Sequence, residues 1–126
     1  MNALILIVED NPTNLKLASD ILEMEGYRVE GAVDAEQAEE FLRQNTPDVI
    51  LMDVGLPGMS GLTLTRKLKA DERMRHVPVV ALTAFAMKGD EEKAREAGCE
   101  GYISKPIDTR RLAQRVAEYL GHTGEK

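Results

Sequence analysis

The residues best suited to chemistry in this 126-residue chain are Glu9, Asp10, Asp53, Thr83 and Lys105. Each stands at the end of a short run of apolar, mostly branched residues: 4–8 before Glu9 and Asp10, 49–52 before Asp53, 79–82 before Thr83, and 101–103 before Ser104 and Lys105. Such runs read as strands, and those at 49–52 and 4–8, apolar throughout, as strands buried on both faces. A carboxylate at the end of a buried strand is costly unless something pairs with it. Open α/β sheets carry their ligand sites at the carboxyl ends of strands, so these residues would share one edge. Two carboxylates about 4 Å apart repel by roughly 4 kcal/mol at an effective dielectric of about 20. Lys105 offsets one acid. A hard divalent cation such as Mg²⁺, which takes a few carboxylates with water and a phosphate oxygen, would offset the rest.

That set suits phosphoryl transfer. Asp53 would be the nucleophile and become an acyl phosphate. Asp10, Asp53 and the Gly55 backbone carbonyl would hold the metal, with Glu9 behind them. Lys105 would balance phosphoryl charge, and Thr83 would donate a hydrogen bond to it. Taken singly, each has a plainer explanation: a strand-end Thr follows β propensity, a Lys is solvated, and Glu9–Asp10 makes a turn. Together, at four strand ends, they argue for a site.

The elements between these ends are helices. Asn11 and Pro12 read as an N-cap and first helical residue, Leu15, Ala18 and Leu22 with Ile21 form the inner face, and Gly26 ends the helix. Residues 27–30 alternate like a strand with one wetter face, near a sheet edge. Asp34 and Gln37 resemble a capping box before Ala38, Phe41 and Leu42, and Thr46–Pro47 ends that helix. Ser60–Gly61 opens a helix carrying Leu62, Leu64 and Leu68. Lys88–Gly89–Asp90 opens a polar one that Gly98 terminates, and Asp108 caps the last, with Leu112, Val116 and Leu120 inward. Five strand–helix units with short connections predict one α/β domain, a doubly wound parallel sheet covered on both faces. The expected bounds are 1–121 for the domain and 122–126 for a polar tail.

Composition narrows the function. Sixteen basic against 22 acidic residues, net −6, disfavour a nucleic-acid surface, which needs a basic patch. No apolar run is long enough to span a bilayer, and residues 1–3 enter the first strand without a basic leader. The single cysteine, Cys99, forms no internal disulfide and suits a reducing, cytoplasmic setting; its plainest role is packing. His76 and His122 read as surface residues.

The segments Ile7–Val8–Glu9–Asp10–Asn11, Leu51–Met52–Asp53 with Leu56–Pro57 and Ser60–Gly61, Ala81–Leu82–Thr83–Ala84, and Ser104–Lys105–Pro106 resemble the receiver domains of two-component response regulators. The resemblance covers essentially the whole chain. Residues 85–91, with Gly98–Cys99 and 102–106, look most like a single-domain regulator, and similar segments occur in receivers of hybrid histidine kinases. It implies the flavodoxin-like strand order 2-1-3-4-5 and phosphorylation of Asp53 by a phosphohistidine on a histidine kinase or phosphotransfer protein. It also implies Mg²⁺ as cofactor and a cis Lys105–Pro106 peptide. It implies a switch in which Thr83 moves toward the phosphoryl group and Tyr102 turns inward behind it. The signal would leave by protein contacts on the face of the fourth helix, fifth strand and fifth helix. The chain would be a monomer or weak dimer. Gly55 carries no side chain where many receivers have one, so water would reach the phosphoryl group more freely; small Ala84 would leave the site open to a donor.

Three other readings use the same residues. A phosphatase of the haloacid-dehalogenase type also uses Asp, Thr, Lys and Mg²⁺, but wants a second Asp where Gly55 stands. A flavin module wants a hydroxyl-rich phosphate loop after the first strand, where Glu9 and Asp10 would repel phosphate. A scaffold with a vestigial pocket would not need all five residues.

Overall fold

The computed structural model describes residues 3–56, 58–83, 88–105 and 107–123, with backbone alone at 88–90 and 121–123. Strands and helices alternate: β1 (Leu4–Val8), α1 (Pro12–Met24), β2 (Arg28–Ala32), α2 (Ala35–Leu42), β3 (Val49–Asp53), α3 (Gly61–Ala70), β4 (Val79–Thr83), α4 (Lys88–Ala97), β5 (Gly101–Ser104) and α5 (Leu112–Thr123). All neighbouring strands pair in parallel, in the order β2-β1-β3-β4-β5. This is the flavodoxin-like architecture the resemblance implies.

Two cores explain the unbroken apolar runs. Alternate residues of β1, β3 and β4 face opposite ways. Leu6, Val8, Ile50, Met52 and Ala81 pack with residues of α2, α3 and α4. Ile5, Ile7, Leu51, Val80 and Leu82 pack with residues of α1 and α5. The edge strand β2 buries only Ala32 fully, so it alone is polar in sequence; it begins one residue later than the alternation suggests and ends at Ala32.

Capping agrees with the sequence at three helices. Asn11 Oδ1 accepts from the N–H groups of Thr13 and Asn14, at 2.9 and 3.1 Å. Asp34 Oδ1 accepts from Gln37 N–H at 2.8 Å, while Gln37 Oε1 accepts from Val33 N–H at 3.1 Å, one residue before the usual box partner. Ser60 Oγ accepts from Thr63 N–H at 3.2 Å.

Three ends differ. The second helix stops at Leu42, well before Thr46–Pro47, because the Arg73 guanidinium donates to the Leu42 carbonyl and Asn45 Nδ2 to that of Phe41. Asp108 caps a turn ahead of α5: its Oδ1 accepts from Arg110 N–H at 3.0 Å, and the helix begins at Leu112. The last helix runs to Thr123, into the stretch read as polar tail; 124–126 lie outside the described residues.

One glycine governs how the site is mounted. At Gly61, the first residue of α3, a Cβ would lie 2.2 Å from the Asp53 carbonyl oxygen and 2.9 Å from Met52 Cγ. The helix start therefore sits directly against the end of β3. We predict that Gly61→Ala lowers stability by about 2 kcal/mol from overpacking, although alanine normally favours a helix by up to about 1 kcal/mol. Urea denaturation midpoints check this, and a variant as stable as wild type would contradict it.

Candidate functional site

The parallel registers bring the strand ends to a common edge. Val8 pairs with Met52, Asp53 with Leu82, and Thr83 with Ser104. Glu9 N–H donates to the Ala32 carbonyl at 2.9 Å, which fixes the first residue beyond β1. Glu9 is 1% exposed and Asp53 5%, while Asp10 is exposed. One ligand atom from each of Glu9, Asp10 and Asp53 lies within 4.8 Å of the others.

Lys105 completes the cluster. Its Nζ lies 2.8 Å from Glu9 Oε1 and 3.3 Å from Asp53 Oδ2. Its own N–H donates to the Thr83 carbonyl at 2.7 Å, anchoring the residue after β5 to the end of β4. The remaining carboxylate oxygens have backbone donors: Gly55 N–H to Asp53 Oδ1 at 2.9 Å and Asn11 N–H to Glu9 Oε2 at 3.1 Å. Glu9 Oε1 is buried, and its contact with Lys105 is a charge pair without the direction of a hydrogen bond.

These contacts separate the two buried acids. Burial pushes the Glu9 carboxyl up, against the pull of Lys105 and the Asn11 N–H, and Asp53 pushes it further. Burial also acts to raise Asp53, but the Gly55 N–H, Glu9 and the Lys105 charge outweigh it and leave its pKa lowered. Lys105 is raised: burial disfavours its charge, but Glu9 and Asp53 more than compensate. These contacts favour the ionised form of Asp53 although its side chain is buried.

The donor set fits a hard divalent cation: clustered carboxylate oxygens, one buried oxygen without a directional hydrogen bond, and acid crowding that a single ammonium offsets only in part. Glu9, Asp10 and Asp53 could hold it.

The other expected residues occupy neighbouring positions. Gly55 is exposed, and a Cβ there would make ordinary contact with Asp53 Oδ1 at 3.6 Å, so one side of that carboxylate is uncovered. Buried Thr83 and half-buried Tyr102 line one cavity of about 100 Å³ with Val54, Leu62, Ala81 and Ala94. The Tyr102 carbonyl accepts from Arg115 Nη2 at 3.1 Å. The cis peptide expected at Pro106 lies outside the described residues, as do Pro57 and Ala84.

Two features of the site escaped the sequence reading. Glu9, expected to stand behind the metal, is the closer partner of Lys105; its place after four buried residues of β1 was the signal. Gly61 was read only as a helix start, yet a glycine inside a helix is costly and implies a close approach.

Residues 5–117 match the response regulator receiver domain family, and the chain belongs to it. It is 50% identical over 121 residues to the polar-differentiation response regulator DivK of Brucella ovis, covering 96% of this chain and 98% of that one. Among solved structures it is similar to the receiver domain of a signal transduction histidine kinase from Syntrophus aciditrophicus, at TM-score 0.90 and 35% identity, covering 98% of this chain and 94% of the other. It is also similar to the receiver domain of sensor histidine kinase PA1611 from Pseudomonas aeruginosa, with TM-score 0.88, 38% identity and coverage of 96% and 99%. That structure has a magnesium ion coordinated in the active-site cleft.

Removing the ammonium exposes what it balances. We predict that Lys105→Met costs about 3 kcal/mol at neutral pH, since it leaves two buried carboxylates without their cation. Unpaired buried carboxylates have raised folded-state pKa values, so the unfolded chain ionises first and the deficit grows with pH. Denaturant titrations should show a smaller deficit at about pH 5 than at about pH 7.5. A deficit independent of pH would place the loss in the packing of the side-chain stem.

Proposed function

We propose that the chain is a single-domain response regulator of a two-component phosphorelay, with residues 1–121 as the receiver. Its phosphoryl donor is a phosphohistidine on a histidine kinase or histidine phosphotransfer protein. The observation that carries this reading is the meeting of Glu9, Asp10, buried Asp53 and Lys105 at one sheet edge.

An ionised Asp53 oxygen attacks phosphorus in line, the P–N bond breaks, and the imidazole leaves as a neutral base once protonated. Asp10, Asp53 and the Gly55 carbonyl, with Glu9 in support, would hold Mg²⁺, which would supply positive charge against the oxygens of the transferring group. The Gly55 N–H keeps Asp53 oriented. Lys105 exchanges part of its contact with Asp53 for the phosphoryl oxygens, and Glu9 holds the ammonium in place while it does so. The Thr83 hydroxyl donates to the phosphoryl group. Nothing at Gly55 covers the acyl phosphate, which favours its hydrolysis.

The acyl phosphate adds about −2 of charge. As Thr83 moves toward it, the cavity it shares with Tyr102 admits the tyrosine ring, and α4, β5 and α5 repack. A downstream protein reads that face. The protein acts in the cytoplasm as a monomer or weak dimer and is a phosphoacceptor switch that catalyses only its own phosphorylation and dephosphorylation. It binds neither nucleic acid nor membrane. The net charge of −6 supports the first exclusion. No helix among the described residues is long and apolar enough to cross a bilayer.

With Mg²⁺ and acetyl phosphate, intact-mass spectrometry should find one added phosphoryl group on the wild type and none on Asp53→Asn. Equal labelling of the two would refute the assignment.

A further inference from the structure

The helix α4 has little to hold it along its length. Of its described side chains, at 91–97, only Ala94 and Ala97 are buried. Two methyl groups are slender anchorage for the described side chains of this helix. Its C-terminal end is held differently.

Lys69, on the last turn of α3, has an Nζ 16% exposed at the side-chain level that donates to three acceptors. These are the carbonyls of Arg75 and Val77, at 3.1 and 2.8 Å, and Glu100 Oε2, at 2.8 Å. An ammonium has three donors, so all are used. The other oxygen of Glu100 accepts from Val79 N–H at 2.8 Å, and Glu100 N–H donates to the Val79 carbonyl at 2.8 Å. The stem of Lys69 lies against Gly98, at φ +112°, where a Cβ would lie 2.6 Å from Lys69 Cγ. The N–H groups of Gly98 and Cys99 donate to the carbonyls of Arg95 and Ala94, at 3.0 and 2.9 Å, closing the last turn of α4. The C-terminal end of α4 is thereby tied to α3, to the loop before β4 and to the first residue of β4.

This tie lies at the edge of the sheet opposite the carboxylate cluster, roughly 13 Å away along β4 at about 3.3 Å per residue. The other end of α4 starts at Lys88, only five residues after Thr83. Thr83 also shares its cavity with Ala94, so a shift of Thr83 bears on the helix short of its tied end.

We propose that Lys69 and Glu100, closed over Gly98, form the fixed end of α4, about which the rest of the helix swings when Asp53 is phosphorylated. The swing rests on the phosphorylation reading above; the fixed end does not. Lys69 is a positioning residue for the switch, remote from the reacting atoms.

The test is amide hydrogen exchange on the full chain, with and without acetyl phosphate and Mg²⁺, for wild type, Lys69→Met, Lys69→Arg and Glu100→Gln. In the unmodified state, Lys69→Met should lose about tenfold protection across 94–101 while the β1 and β3 amides stay protected. Lys69→Arg, which keeps a donor group, should restore most of it, and Glu100→Gln should fall between. In phosphorylated wild type, the change in protection should be largest at 88–93 and smallest at 98–101; in Lys69→Met it should spread over the whole helix. The Asp53 labelling rate should be within about twofold of wild type, since α4's fixed end does not touch the reacting atoms.

Unchanged protection at 94–101 in folded Lys69→Met overturns the fixed end. Labelled wild type with its largest change at 97–101, or none in α4, overturns the swing. Failure of Asp53 to label overturns the phosphorylation reading and the swing with it, while the unmodified comparison still judges the fixed end. If Lys69→Met does not fold, Glu100→Gln decides: wild-type protection at 94–101 overturns the proposal, and reduced protection supports it.

Discussion

The Lys105 ammonium, between the carboxylates of Glu9 and Asp53, is the contact on which the site depends. Desolvation alone would drive both acids to their neutral forms. The Gly55 N–H, the neighbouring Glu9 and the ammonium together favour the charged form of Asp53 in a place where charge is expensive. A carboxylate held this way is pre-formed as a nucleophile and as a metal ligand, and on the proposed reading it serves as both. The pairing also restrains it: 3.3 Å to Asp53 against 2.8 Å to Glu9 leaves Lys105 able to turn toward an incoming anion without losing its closer partner.

The parallel sheet makes that contact possible. Glu9 and Lys105 are almost the length of the chain apart, yet β1 and β5 run the same way on either side of β3 and β4. Two cores hold the strands rigid behind their polar ends. Close approach of α3, allowed by the bare Cα of Gly61, sets the base of Asp53. By contrast α4 is only lightly packed. The same molecule therefore has a stiff side that presents the carboxylates and a compliant side that can respond to them.

Much of this was legible in the residues. Unbroken apolar runs at 4–8, 49–52 and 79–82 marked strands, and the polar alternation at 27–30 marked the edge. The cluster itself followed from placing strand ends together. What could not be read depends on contacts between residues distant in sequence. The end of α2 is set by Arg73, 31 residues away, through the Leu42 carbonyl. The preference of Lys105 for Glu9 depends on how deep each acid lies, which periodicity does not report. No motif or periodicity singles out Lys69 and Glu100, which the fold sets 2.8 Å apart.

The central claim is that Glu9, Asp10 and Asp53 form one cation site beside Lys105. The chain has no tryptophan to report binding by fluorescence, so paramagnetic Mn²⁺, another hard, octahedral oxygen-seeking ion, is the direct probe. Titrated into ¹⁵N-labelled protein at sub-stoichiometric levels, it should broaden the amides of Glu9, Asp10, Asp53, Val54, Gly55 and Lys105 first, and excess Mg²⁺ should restore them. Broadening that begins instead among the surface acids of α2, or that Mg²⁺ does not reverse, would contradict the account.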